Sequence, residues 1–131
     1  MYINTLAPKT KTLLDLIAGQ SFLNSFYLSG GTALALHLGH RESEDLDFFS
    51  QVDFDPTKIQ LELEQISHLS SVEQTLGTLN CHAGDVQLQF LHYPYNLLSD
   101  PITWNQIHLS SIEDIACTKL LTISSRGSKK D

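Results

Sequence analysis

Residues 26–49 read FYLSGGTALALHLGHRESEDLDFF, and this stretch constrains the fold more than any other part of the chain. Phe26, Tyr27 and Leu28 form a short apolar run that meets Ser29, Gly30 and Gly31, the pattern of a buried strand ending at a tight turn. Thr32 to Leu38 then reads as a helix with Leu34 and Leu38 on one face. Gly39 and His40 end it, and the polar turn RESE leads into a second strand, Asp45 to Phe49. Thirteen residues separate Gly31 from Asp45, enough for a helix and a return turn. The second strand can therefore lie beside the first and bring the glycines and the aspartates to one end of a sheet.

That juxtaposition has chemical meaning. Asp45 and Asp47 are two apart, so on a strand both carboxylates point to one side, roughly 6 to 7 Å apart at their Cα atoms. They repel each other unless a cation lies between them. Mg²⁺ suits such a pair, because it takes oxygen ligands and bridges substrate phosphates, and two-metal sites hold their ions about 3.5 to 4 Å apart. A DxD alone recurs by chance as the polar edge of a half-buried strand. A double glycine alone is equally weak, since many strand-to-helix turns need glycine for positive φ. Together, bare backbone N–H groups at a helix start, able to hold phosphate, would face a pair of metal-binding carboxylates. Arg41 and Ser43 lie in the turn just before the carboxylates. Arg41 either pairs with Asp45 or Asp47 or contacts a substrate phosphate.

The rest of the chain frames this unit. Thr10 to Gly19 suits a short amphipathic helix through Leu13, Leu14, Leu16 and Ile17. Asp55 followed by Pro56 is an N-cap with proline at the first helical position, and Ile59, Leu63 and Ile66 repeat at helical spacing. From Val72 to Tyr93 the period becomes two, with breaks at Gly77 and Gly84-Asp85, giving two or three antiparallel strands, the last being Val86 to His92. Trp104 to Leu109 adds an edge strand. Ser110 with Glu113 reads as a capping box opening a helix from Ser111 to about Ser124. This order predicts an α+β fold, a mixed sheet flanked by helices.

At 131 residues the chain is sized for a single domain, 1–131. No stretch reaches the length needed to cross a bilayer, and the lysines near the N-terminus precede no cleavable signal, so the cytoplasm is the expected location. Cys81 and Cys117 lack metal spacing and read as buried free thiols. A net charge of -7 repels phosphate backbones, and the only basic cluster is terminal: Arg126, Lys129 and Lys130. His37 with His40, and Cys81 with His82, do not supply a zinc spacing, and no G-x-S-x-G elbow supports a serine hydrolase. Trp104, Tyr93 and Tyr95 read as packing residues.

Taken together, the Gly-Gly-Thr-Ala-Leu helix after a strand, the turn carrying HRESEDLDFF, and later DIACTKLL and RGSKKD closely resemble the AbiEii-type nucleotidyltransferase toxin family, within the polymerase-beta-like nucleotidyltransferase superfamily. The resemblance implies that Gly30, Gly31, Thr32, Arg41 and Ser43 bind the nucleotide, that Asp45 and Asp47 bind magnesium, two ions being expected, and that Lys119 contacts a phosphate or the nucleotide at the catalytic centre. It also matches Asp114, Lys130 and Asp131 to family positions. The implied activity is transfer of an NMP group from an NTP to an RNA or protein hydroxyl, by the toxin of a toxin-antitoxin pair with a cognate antitoxin as partner. The sequence departs from the family in two places. The usual third carboxylate falls on Gln87 or Gln89, with Asp85 nearby, and the family's C-terminal helical part is missing after RGSKKD. These departures favour a second reading, a truncated, inactive domain of the same fold that acts as a nucleotide-binding or protein-interaction module, with self-association or a partner chain expected at the surface the missing helices would cover.

Overall fold

The computed structural model describes residues 1–120. Helix α1, Pro8–Ile17, opens on a proline at its first turn, where the absent N–H costs nothing, and buries Leu13, Leu14 and Ile17. It therefore starts and stops two residues before the expected Thr10 to Gly19. Strand β1, Tyr27–Ser29, passes directly into α2, Gly30–Leu38, and β2 follows as Leu46–Ser50. Helix α3, Pro56–Glu64, has the expected cap, with Thr57 N–H donating to the Asp55 side chain at 3.0 Å.

Three strands come next: β3 Leu69–Thr75, β4 Thr78–Ala83 and β5 Val86–His92, paired antiparallel in that order. The expected single edge strand at Trp104 to Leu109 is instead a hairpin, β6 Ile102–Trp104 and β7 Ile107–Leu109. Its turn residues Asn105 and Gln106 take positive φ, 51° and 63°, the pair of left-handed residues a two-residue hairpin demands. The described chain ends in α4, residues 112–120. The cap of this helix is one residue later than expected. Asp114 N–H donates to Ser111 Oγ at 3.1 Å and Ser111 Oγ donates to the Asp114 carboxylate at 2.8 Å, which makes Ser111 the cap with Asp114 as its partner and leaves Glu113 exposed.

The seven strands form one mixed sheet in the order β3-β4-β5-β2-β1-β7-β6. Antiparallel β1 and β2 lie at its centre, flanked by β7 parallel to β1 and β5 parallel to β2. Strand alternation gives the sheet two unlike faces. Leu28, Leu46, Phe48, Leu88 and Phe90 point into the core, where α1 packs on β5, α2 on β1 and β2, and α3 on β3 and β4. Phe90 anchors this layer, stacked on Phe48 at 5.3 Å and edge-on to Phe26 at 5.2 Å. Helix α2 buries Thr32, Ala33, Ala35 and Leu36, with Leu34 partly buried against the core and Leu38 half exposed. Small residues there let the helix lie close on the central strands. The opposite face carries Ser29, Asp47, Phe49, Gln87 and Gln89, and an aromatic file from Tyr27 through Phe49 and Tyr93 to Tyr95. Cys81 is buried and free as expected, while Cys117 is exposed.

Candidate active site

The site begins with a backbone constraint. Gly30 has φ +69°, a left-handed conformation that a side chain resists, and it is the first residue of α2 rather than part of a loop before it. A Cβ on Gly30 would lie 2.5 Å from Asp47 Oδ2 and 3.3 Å from the Asp47 Cβ and Cγ. The glycine is therefore the floor on which the Asp47 side chain rests. A Cβ on Gly31 would lie 2.6 Å from a terminal nitrogen of Arg41, so the guanidinium crosses the second glycine in the same way. The paired glycines and the acidic strand meet at one end of the sheet, as the spacing of residues 26–49 predicts.

The segment before β2 is pinned from three directions. Thr32 Oγ1 donates to the Asp45 backbone carbonyl and lies 2.6 Å from Ser43 Oγ. Since a threonine hydroxyl has one hydrogen and Asp45 takes it, Ser43 is the donor in the second bond. Ser43 also bridges to Leu6 through backbone bonds to Thr5 and Ala7 at 2.7 and 3.1 Å, and Thr10 Oγ1 donates to the Glu44 carbonyl at 2.6 Å. Thr32 and Ser43 thus commit their protons to holding the loop and offer the cavity only acceptor lone pairs. Sequence reasoning missed Thr10 altogether, because its partner lies 34 residues away and no local pattern announces it.

These elements enclose a cavity of about 460 Å³ lined by Gly31, Thr32, Asp47 and residues 41–45. Four carboxylates, from Glu42, Glu44, Asp45 and Asp47, face it against one guanidinium. Asp45 is exposed just ahead of β2, one residue outside the strand expected to carry it, and Asp47 is partly buried within it. Burial, with a smaller contribution from the charge of Asp45, pushes the Asp47 carboxyl up to about 6. A nearby cation would relieve that penalty. Among the described residues, no ion pair joins Arg41 to Asp45 or Asp47, which leaves its guanidinium to face the cavity.

The donor set fits magnesium. Both aspartates offer hard oxygen, and Mg²⁺ is commonly held by one or two carboxylates with water and substrate phosphates completing its shell. Among the described residues, no three His, Cys, Asp or Glu side chains converge to enclose an ion unaided. Asp47 pairs in register with Gln89 on β5, so a neutral amide occupies the strand position beside it. Asp85 sits exposed in the β4–β5 turn and does not line the cavity, and neither does Lys119, which is exposed on α4. Asp114 is buried and structural. Its carboxylate accepts from Leu98 N–H at 2.7 Å, Ser99 N–H at 3.1 Å and the Ser111 hydroxyl. Arg126, Lys129, Lys130 and Asp131, and the expected end of the last helix near Ser124, lie outside the described residues. The Cys81-His82 pair is no metal site, since Cys81 points into the core, its thiol pushed up to about 11 by burial, and His82 lies on the opposite face of β4.

A mixed sheet with a glycine-led helix beside an acidic strand is the nucleotidyltransferase fold, and solved structures bear this out. JHP933 from Helicobacter pylori superimposes with a TM-score of 0.59 at 20% identity, covering 88% of this chain and 57% of that one. A second H. pylori crystal structure, provisionally named a nucleotidyltransferase, gives 0.56 at 18% identity, covering 91% and 56%. The family model described as "Nucleotidyl transferase AbiEii toxin, Type IV TA system" matches residues 12–97, and the chain belongs to that family. It is 35% identical over 130 residues to an uncharacterized Aquifex aeolicus (strain VF5) protein, aq_aa25, covering 96% of this chain and 63% of that protein. The chain thus spans less than two thirds of these relatives. The matched stretch contains every residue of the cavity and excludes Asp114 and Lys119. Among the described residues, no helix is long and apolar enough to cross a membrane.

Proposed function

We propose that this chain is the nucleotide-binding unit of a magnesium-dependent nucleotidyltransferase that moves an NMP group from an NTP to a hydroxyl, acting as the toxin of a toxin-antitoxin pair in the cytoplasm, where nucleoside triphosphates are held. The observation that supports it is the convergence of Gly31 and Arg41 with Asp45 and Asp47 in one cavity, with Gly30 directly beneath the Asp47 side chain. The first turn of α2 presents N–H groups that no side chain caps, because Ser29 at the N-cap makes no capping bond, and these groups with the Arg41 guanidinium form the phosphate cradle. Thr32 and Ser43 fix the loop that carries Asp45, so the carboxylates need little rearrangement on binding. Magnesium held by Asp45 and Asp47 would supply charge neutralisation on the phosphates and lower the pKa of the attacking hydroxyl. The acceptor, an RNA or a protein, would enter from the open side of the cavity.

The test is NMP incorporation from labelled NTPs with magnesium. Asp45→Asn and Asp47→Asn should each abolish turnover while the fold survives, and undiminished activity in both variants would remove the mechanism. A second reading, a module that binds nucleotide without turnover, is favoured by Gln89 standing in register with Asp47 where a third acid would complete the ligand set. Calorimetry separates the two: magnesium-dependent NTP binding without incorporation supports the binding module.

A further inference from the structure

Ser29 is the one polar side chain at the site that nothing yet accounts for. It is 1% exposed, and its hydroxyl is buried without any hydrogen-bond partner. Burying a hydroxyl unpaired is costly, and buried polar groups in folded proteins almost always find partners. Its position makes this sharper. Serine at a helix N-cap ordinarily accepts from a first-turn N–H, yet Ser29 caps α2 without such a bond, its backbone extended at φ −136°. The hydroxyl is therefore not used by the helix it begins.

Its cross-strand neighbour is Asp47. The two residues are direct partners across the antiparallel β1–β2 ladder, so their side chains stand on the same face, and directly opposed residues have Cβ atoms about 4.5 to 5.5 Å apart. The Asp47 carboxylate leans over Gly30, the residue that follows Ser29. Ser29 does not line the cavity, so it does not meet a ligand there; Asp47 stands between them.

We propose that Ser29 is a positioning residue for Asp47. Its O–H donates to the Asp47 carboxylate once a divalent cation is bound, which holds one carboxylate oxygen against the sheet and presents the other to the cavity. This deepens the proposed function and rests on it, because it assigns Asp47 as a cation ligand. The floor under Asp47 carries no Cβ to obstruct a movement of its side chain toward Ser29. Gln89 flanks Asp47 on the other side, on β5, and the aspartate is left between two neutral neighbours able to donate hydrogen bonds.

The experiment is equilibrium binding of Mn²⁺ alone, followed by electron paramagnetic resonance, to the full chain and to Ser29→Ala, Ser29→Thr, Asp47→Asn and Ser110→Ala, with melting temperatures recorded alongside. Ser110 is the control: its hydroxyl is also buried and unpartnered, and its N–H bonds to Leu28 on the side of β1 away from β2. Ser29→Ala should weaken Mn²⁺ binding roughly tenfold, the scale of a lost hydrogen bond to a charged group. Ser29→Thr should keep most of the affinity, and Ser110→Ala should bind as the parent does. Parental affinity in Ser29→Ala, alongside lost affinity in Asp47→Asn, would overturn the role of Ser29 and leave the proposed function standing. Equal losses in the Ala and Thr variants would show a packing effect and overturn it too. Parental affinity in Asp47→Asn would overturn both.

Discussion

Replacing Gly30 by alanine should damage stability and ligand binding together, and the size of the effect follows from two separate costs. The first is backbone: holding alanine at φ +69° costs about 1 to 2 kcal/mol. The second is contact: the new Cβ would sit 2.5 Å from Asp47 Oδ2, and since the Asp47 Cβ and Cγ are only 3.3 Å away, turning the carboxylate aside does not clear it. The whole side chain has to leave its rotamer, adding about 1 kcal/mol. A total of about 2 to 3 kcal/mol should lower the melting temperature by roughly 6 to 12 °C in a domain of this size.

Gly31→Ala provides the contrast. Gly31 has no left-handed φ, and the atom it would meet is the far end of the flexible Arg41 side chain at 2.6 Å. Alanine is also the better helix former by about 1 kcal/mol. This variant should therefore melt at or slightly above the parental temperature while displacing Arg41 and weakening magnesium-dependent NTP binding. Thermal unfolding by circular dichroism and calorimetric NTP binding on the two variants decide the matter. Parental melting for Gly30→Ala, or an equal loss of stability in both variants, would refute the view that Asp47 is packed directly onto the glycine backbone.

Three further outcomes are expected. The Asp47 carboxyl, pushed up to about 6 by burial and then by Asp45, binds its proton more tightly in the folded than in the unfolded protein. Its contribution is thus favourable below about pH 4 and is lost as pH rises to about 6. Without divalent cations, Asp47→Asn should gain about 2 kcal/mol on the parent between pH 4 and 7, and denaturant titrations showing a constant difference would contradict the burial of the charge. Asp114→Ala should cost about 2 kcal/mol, since it removes three hydrogen bonds to a carboxylate and strands the buried Ser111 hydroxyl, while the Leu98 and Ser99 N–H groups lie where water can reach them. Hydrogen exchange at Leu98 and Ser99 should accelerate, and unchanged protection would remove the latch. Gln106→Gly should stabilise by about 0.5 to 1 kcal/mol, because Gln106 sits at φ 63° in the β6–β7 turn, and a lowered unfolding midpoint would count against that turn geometry.

The legible part of this protein was the part written in adjacent residues. The strand, the double glycine, the helix and the acidic strand of residues 26–49 follow from local pattern, as do the Asp55-Pro56 cap and the period-two run ending in Val86–His92. Errors arose where tertiary context decided. Trp104 to Leu109 contains no glycine, so nothing marked Asn105-Gln106 as a tight turn, and the hairpin was hidden in what looked like one strand. Ser110 and Ser111 offer equivalent caps one residue apart. Burying the Asp114 carboxylate against Leu98 and Ser99 selects the second, a choice made by residues 15 and 16 positions away. Within the site, Thr10 and Ser29 were invisible because their roles depend on a distant carbonyl and on strand register.

The register also explains why this site tolerates so much negative charge. Four carboxylates facing one cavity would normally destabilise the strand end that carries them. Only Asp47 is withdrawn from water, whereas Glu42, Glu44 and Asp45 are exposed, where solvent screens their repulsion. Asp47 is spared further repulsion from its strand neighbours: on one side stands Ser29, on the other Gln89, both uncharged and both in register with it. An acidic side chain at either position would place a second partly desolvated charge beside the first and raise the proton affinity of Asp47 further. The neutral neighbours add no further charge to this partly buried carboxylate, so that under the proposed function a cation arriving with a polyphosphate would need to displace at most a weakly held proton. On this reasoning Gln89, which counts toward the binding-module reading as a missing third acid, would also spare Asp47 a second charge beside it.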